Sequence, residues 1–336
     1  MAGTGNLSEV DGRESVGRLD DGQRAERVDH KNDVHRSGDA DRVDFDDAFL
    51  RRLERLSLRV GRLTGAVGSR PGVRRTPAAD FIDHRPYSPG DDLRHIDWPA
   101  AARHEDVFVK VGRAPQAAQV HLLVDLSTSM VADPAKRRLA LELVAALGWL
   151  SLVNGDRVTV GCLPMAADES LRAPLWGPAS GAGFGRGLLR FLADLPREVP
   201  GVSRVAPSLA RLVRMAPVGG RLVLVSDLWV ADDLEMALAM VPPPRWEVLV
   251  LQVLGRGELE PELAGLVELV DSETGERTDL LVDENLRAAY RSALNARLER
   301  LRTLLGARGA EHALLPADWP LEQAVVPYLQ RRSLIS

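Results

Sequence analysis

Three stretches of this chain differ in how apolar positions recur. From Met1 to about Arg42 no period exists: acids, bases, Gly and Ser alternate with few large apolar residues. Ordering such a segment costs more entropy than burial returns, so residues 1–42 are expected to form a disordered tail. Phe45, Phe49, Leu53, Leu56, Val60 and Leu63 then recur every three or four residues, which predicts an amphipathic helix with the arginines of 51–75 on its other faces. From Val120 onward, short Val/Leu runs alternate with helical patterns, the mark of βαβ units and a mainly parallel sheet. Strands are expected at 120–125, 157–163, 221–226 and 246–254, and helices at about 134–153, 186–195, 204–215 and 231–240. Asp133 followed by Pro134 supplies an N-cap and first-turn pair for the first of these helices.

Weaker patterns fill the remainder. Pro89-Gly90-Asp91-Asp92 reads as a turn capped by its own Asp side chains, with Arg94 pairing locally and Trp98 packing on the core. The segment Gly177–Gly187 lacks the Gly-Lys-Ser/Thr of a phosphate cradle and follows no clear strand, so a flexible loop is expected there. Residues 266–271 and 277–282 flank a turn at Gly275 and predict a hairpin. A helix near 284–306, a strand at 312–315 and a helix at about 319–329 complete the plan. The chain thus divides into a tail (1–42), a helical then turn- and strand-rich segment (43–118), and an α/β domain (119–336).

Composition narrows the function. At 336 residues with 45% hydrophobic and 27% charged positions, the chain can bury a sizeable core, which excludes collagen, coiled coil and full-length disorder. Forty-three Lys and Arg against 48 Asp and Glu give a net charge of -5, so no global positive field favours nucleic acid or an anionic membrane. The one cysteine, Cys162, sits in an apolar run without a disulfide partner and fits a reducing compartment. The longest apolar stretch, Leu143 to Val153, has about half the ~20 residues of a membrane helix and reads as a buried core helix. With no secretory signal in the first forty residues, a cytoplasmic location is expected.

The candidate chemistry gathers at two strand ends. In Val120-His121-Leu122-Leu123-Val124-Asp125-Leu126-Ser127-Thr128-Ser129-Met130, an apolar strand ends in an acid with hydroxyls two and four residues on; Arg221 to Asp227 ends likewise in Ser226-Asp227. The carboxyl ends of parallel strands form the crevice of α/β proteins, so Asp125, Ser127, Ser129 and Asp227 would converge. Oxygen donors of this kind suit a small hard divalent cation. The same acids could instead cap helices or bind loop amides.

Other chemistries are poorly served. His84, His95, His104 and His121 show no metal-protease spacing. A phosphatase of the haloacid-dehalogenase type needs a second acid where Ser127 stands, and no Gly-x-Ser-x-Gly follows an apolar strand. A magnesium-dependent hydrolase therefore remains an alternative only, as does nucleic-acid binding by the arginines of 51–75, whose neighbouring aromatics fall on the apolar stripe.

Asp125-Leu126-Ser127-Thr128-Ser129-Met130 resembles the metal-ion-dependent adhesion site (MIDAS) of von Willebrand factor A domains. The run Tyr87-Ser88-Pro89-Gly90-Asp91-Asp92-Leu93-Arg94-His95-Ile96-Asp97-Trp98, followed by Ala101-Ala102-Arg103 and Val107-Phe108-Val109, is similar to the hallmark of the bacterial domain of unknown function 58 family. The likeness extends over about 50–330. It implies a von Willebrand factor A-like, mainly parallel sheet flanked by helices, with a small β-rich N-terminal segment. It also implies a divalent cation (Mg²⁺, alternatively Mn²⁺ or Ca²⁺) held by Asp125, Ser127, Ser129, a loop hydroxyl and Asp227. The family's usual loop Thr is replaced by Ser203, with Ser208 as a substitute inside the predicted helix. The expected function is then a non-enzymatic adaptor or co-chaperone for a MoxR-type AAA+ ATPase, or for its client, whose acidic side chain completes the metal's coordination. The chain lacks the transmembrane helices that many members carry ahead of the hallmark.

Overall fold

The computed structural model describes residues 43–59, 75–88, 96–102, 107–113, 117–163, 174–197, 205–229, 233–270 and 277–335. The expected tail, the Pro89–Arg94 turn, and Val60 and Leu63 of the apolar stripe lie outside them. Helix α1 (Asp47–Arg59) takes the predicted amphipathic segment and buries Phe49, Leu53 and Leu56. Strand β1 (Arg75–Pro86) pairs antiparallel with β2 (Phe108–Arg113), with the short helix α2 (Trp98–Ala101) between them. Trp98, expected on the core, is 63% exposed; its neighbour Ile96, which bridges to Val109, is buried instead.

The central sheet follows from alternation. Strands β3 (Gln119–Asp125), β4 (Arg157–Leu163), β5 (Leu175–Ser180), β6 (Gly220–Ser226), β7 (Trp246–Leu254) and, after the hairpin, β10 (Glu311–Pro316) line up as β10-β7-β6-β3-β4-β5. All neighbours are parallel except β5. Along β3 and β6, Leu122, Val124, Val223 and Val225 face one layer while Leu123, Leu222 and Leu224 face the other, so both faces are covered. The first layer is built on α4 (Pro134–Val153), which follows the one-turn helix α3 (Thr128–Ala132), and is completed by α1 and α5 (Gly185–Ala193). The second is built on α6 (Val205–Met215), α7 (Leu234–Ala239) and the end of α9 (Glu284–Ala307), with short α8 (Arg256–Leu259) after β7. This is a mixed α/β architecture with a mostly parallel central sheet flanked by helices. Strand β8 (Gly265–Val270) and β9 (Arg277–Val282) form the expected antiparallel hairpin, and a π-turn at Leu321–Val325 leads into α10 (Val326–Arg331) where one helix was expected.

Asp133 caps α4 as expected, its Oδ1 accepting from the Ala135 N–H at 2.8 Å with Pro134 in the first turn. The 20-residue α4 is apolar on nearly all sides and serves as the buried core helix. Truncating a wholly buried leucine such as Leu141 to alanine, which removes three carbons, would cost about 2–5 kcal/mol. Residues 177–187 are not a loop. Gly177 to Ser180 belong to β5 and Gly185 opens α5. Gly177 adopts φ +90, and a Cβ there would lie 2.4 Å from the Val158 carbonyl, so the strand needs the glycine to join the sheet edge at a bulge.

Candidate metal centre

With β3, β4, β6, β7 and β10 taken in chain order, the sheet runs second-first-third-fourth-fifth, and the direction in which strands are added reverses between the parallel neighbours β3 and β6. Ligand crevices of doubly wound sheets open at this point, beyond the strands' carboxyl ends. Asp125 ends β3 there, and Asp227 directly follows β6. Both are 2% exposed, and the charge of Asp227 acts on Asp125.

Each predicted side chain has a definite partner. Asp125 Oδ1 accepts from the Ser127 N–H at 2.9 Å, and Oδ2 accepts from the Ser226 hydroxyl at 2.6 Å. The Ser127 and Ser129 hydroxyls lie 3.2 Å apart. Asp227 Oδ1 accepts from the Trp229 N–H at 3.1 Å. Asp125, Ser127, Ser129 and Asp227 are therefore brought together. Ser203 lies outside the described residues, and Ser208 is fully buried inside α6. Loop-amide contacts and a converging oxygen set are present at once, so the two readings of these acids are not exclusive.

Three residues that sequence patterning does not single out complete the site. Lys136, in the first turn of α4, is 1% exposed and donates to Asp227 Oδ2 and to Glu258 Oε1, both at 2.7 Å. Glu258 Oε1 also accepts from Trp229 Nε1 at 2.7 Å, and its Oε2 accepts from the Gly255 N–H at 2.6 Å. A Cβ at Gly255 would lie 2.5 Å from Asp133 Oδ2, so a larger residue there would push the Asp133 carboxylate aside. Arg297 of α9 donates to the Leu228 and Trp229 carbonyls at 2.7 and 2.6 Å and stacks on the Trp229 ring at 5.2 Å. These bonds hold Leu228 at φ 56, a left-handed turn that swings the chain sharply after Asp227. Behind it, Gln252 Nε2 donates to the Asp227 carbonyl at 2.9 Å and Gln252 Oε1 lies 3.1 Å from His312 Nε2. The sequence carries little trace of this network, since Lys136 merely opens the basic run Lys136-Arg137-Arg138 at the start of α4.

Electrostatics separates the two acids. Burial pushes the Asp125 carboxyl above the usual carboxylate range; the Ser226 hydroxyl draws it back, and the charge of Asp227 raises it further. Asp227 faces the Lys136 ammonium.

The donors fit a small divalent cation. The 3.2 Å between the Ser127 and Ser129 oxygens is close to the ~3.0 Å edge of an octahedron with about 2.1 Å metal–oxygen bonds. Asp125 and Asp227 supply negative charge beside them. Among the described residues no group of three or more His, Cys, Asp and Glu is placed to hold a metal ion by itself, so a site here depends on hydroxyls and a pair of acids. Ser127, Ser129 and Asp125 would hold the cation, with Asp227 contributing its charge directly or through water, and the bound ion would supply an electrophilic centre for an external oxygen ligand.

A family model described as "Protein of unknown function DUF58" matches residues 83–300. The chain belongs to this family. The DUF58 chain is 30% identical over 275 residues to the uncharacterized proteins Rv1480 of Mycobacterium tuberculosis and Mb1516 of Mycobacterium bovis, covering 79% of this chain and 84% of each relative. Among solved structures, it is similar to the conserved hypothetical protein BatB from Bacteroides thetaiotaomicron, with a TM-score of 0.39 and 15% identity over 65% of this chain and 98% of that one. An aerotolerance-related membrane protein from Bacteroides fragilis gives 0.37 and 14% over the same shares. No helix among the described residues of the DUF58 chain is long and apolar enough to cross a membrane.

Proposed function

We propose that this chain is a divalent-cation-dependent protein-interaction module of the von Willebrand factor A type, acting in the cytoplasm without catalysing a reaction. The observation that carries the reading is the meeting of Asp125, Ser127, Ser129 and Asp227 at the strand-order reversal, with the two hydroxyls at coordination spacing. Mg²⁺ is the expected ion, since few charged ligands leave positions for water or a partner's oxygen. The partner donates an acidic side chain to the cation. A MoxR-type AAA+ ATPase or its client is the partner class implied by the resemblance of residues 87–109 and 125–130 to the family hallmark and adhesion motif.

Affinity capture from the native cell extract with wild-type protein and Asp125→Ala, each with Mg²⁺ or chelator, tests the reading. Retention of an AAA+ ATPase or its client only by wild type with Mg²⁺ is expected. Retention by Asp125→Ala, or in chelator, would overturn it.

A further inference from the structure

The least expected residue of the site is Lys136. A cation in the first turn of a helix opposes the helix dipole, and burying an ammonium costs several kcal/mol unless it is well paired. Lys136 opens the basic run Lys136-Arg137-Arg138, but beyond that run Glu142 is the only charged residue of α4, and an apolar side chain of similar length would avoid the cost of burying the ammonium. Neither helix formation nor packing accounts for a lysine that is 1% exposed here. What its ammonium does is hold Asp227 Oδ2 and Glu258 Oε1, each at 2.7 Å. With Oδ1 of Asp227 receiving the Trp229 N–H, both oxygens of this acid are engaged by donors from the protein.

We infer that Lys136 is a tethered competitor of the divalent cation: its ammonium keeps Asp227 out of the metal's inner coordination sphere, so the ion binds weakly until an external carboxylate joins it. The inference rests on the proposed cation site and adds how its affinity is set. Three acids surround the site, and one lysine charge offsets part of them. Were Asp227 free to bind the ion directly, a second protein carboxylate would neutralise it and reduce its attraction for a partner's acid. Held by Lys136, Asp227 acts on the cation at a distance, and Asp125 with the two serines makes the closer shell. Lys136 is thus a positioning residue, and it makes the partner's carboxylate part of the binding energy of the metal.

Mn²⁺ titration, followed by the electron paramagnetic resonance signal of free Mn²⁺, reads this directly in the full chain. The proteins compared are wild type, Lys136→Met, Lys136→Arg and the double variant Lys136→Met/Glu258→Gln. The double variant removes one positive and one negative group, so the net charge of the cluster is kept while Asp227 is released; it guards against Lys136→Met failing to fold. Both Met variants are expected to bind Mn²⁺ roughly tenfold tighter or more, since the ammonium no longer occupies Asp227 Oδ2. Added acetate should tighten Mn²⁺ binding in wild type and Lys136→Arg and have little effect in the Met variants. If Mn²⁺ binds wild type in an Asp125-dependent way but no tighter to the Met variants, the inference fails and the cation site stands. If none of the proteins binds Mn²⁺, the cation site itself is wrong and the inference falls with it.

Discussion

The carboxyl ends of β3 and β6 lie side by side, and each finishes in a buried aspartate, yet the two acids are held in opposite ways. Asp125 is met by a hydroxyl and a backbone N–H, and burial and the neighbouring acid push its carboxyl up. Asp227 is met by the Lys136 ammonium, its carbonyl is held by Gln252, and the turn that follows is fixed by Arg297. The β6 end is satisfied by the protein. The β3 end carries an acid whose carboxyl burial and the neighbouring Asp227 push up, with two hydroxyls 3.2 Å apart beside it. The proposed cation site therefore leans on the charge-crowded β3 end, while the β6 end, with its left-handed turn at Leu228, is fixed by its protein partners.

Exchanging each acid for its amide should separate the two most sharply. Asp227→Asn leaves the buried Lys136 with Glu258 alone, and breaking one side of a buried pair costs about 3 kcal/mol or more. Asp125→Asn removes a buried charge that faces another acid but keeps only one of two acceptor oxygens, turning its NH2 toward Ser226 or the Ser127 N–H, so the two effects offset and a smaller loss of about 1 kcal/mol is expected. Urea unfolding of both variants in chelator measures the difference; equal losses would erase the distinction.

Acid should weaken the scaffold next. His312 stands behind Gln252 and Asp227, and burial, with Arg302 and Arg332 adding to it, lowers its imidazole to about 4. His121 on β3, packed against Trp246, is likewise lowered to about 4 by burial, with a Gly219 backbone hydrogen bond opposing. Both start from 6.5 in the unfolded chain. Between pH 6.5 and 4 the unfolded state therefore takes up protons that the folded state refuses, and stability falls as pH falls, by roughly 2–3 kcal/mol per histidine when complete. The raised carboxyl of Asp125 acts in the other direction, its penalty fading as it protonates. Denaturation midpoints measured at pH 7 and pH 4.5 should show a net loss at the lower value, and a His312→Gln variant a smaller one.

Much of this frame is legible along the chain because it depends on period. Residues 157–163 and 246–254 form strands with the bounds their apolar runs predict, and α4 begins at the Asp133-Pro134 cap. Asp125, Ser127, Ser129 and Asp227 are legible because each follows the end of such a run. Strand β5 is not, since Leu-Trp-Gly-Pro-Ala-Ser has neither alternation nor turn-free composition and joins the sheet only through a bulge at an existing edge. Trp98 misleads because an aromatic predicts burial only where something covers it. The Lys136 network is set by partners 91 and 122 residues away, a pairing that no local pattern carries.

The smallest change in stability should accompany one of the largest in binding. Ser129 is half-buried, and its hydroxyl meets only that of Ser127 among its described side-chain partners. Ser129→Ala leaves Ser127 its place at the N-cap of α3 and removes no charge, so unfolding free energy should move by less than about 0.5 kcal/mol. The same substitution deletes one of two hydroxyl ligands, and Mn²⁺ affinity should fall by roughly tenfold or more, since a lost inner-sphere oxygen must be replaced by water. A stability change without a binding change would assign Ser129 to the scaffold, and the contrast between the two strand ends would then narrow to Asp125 alone.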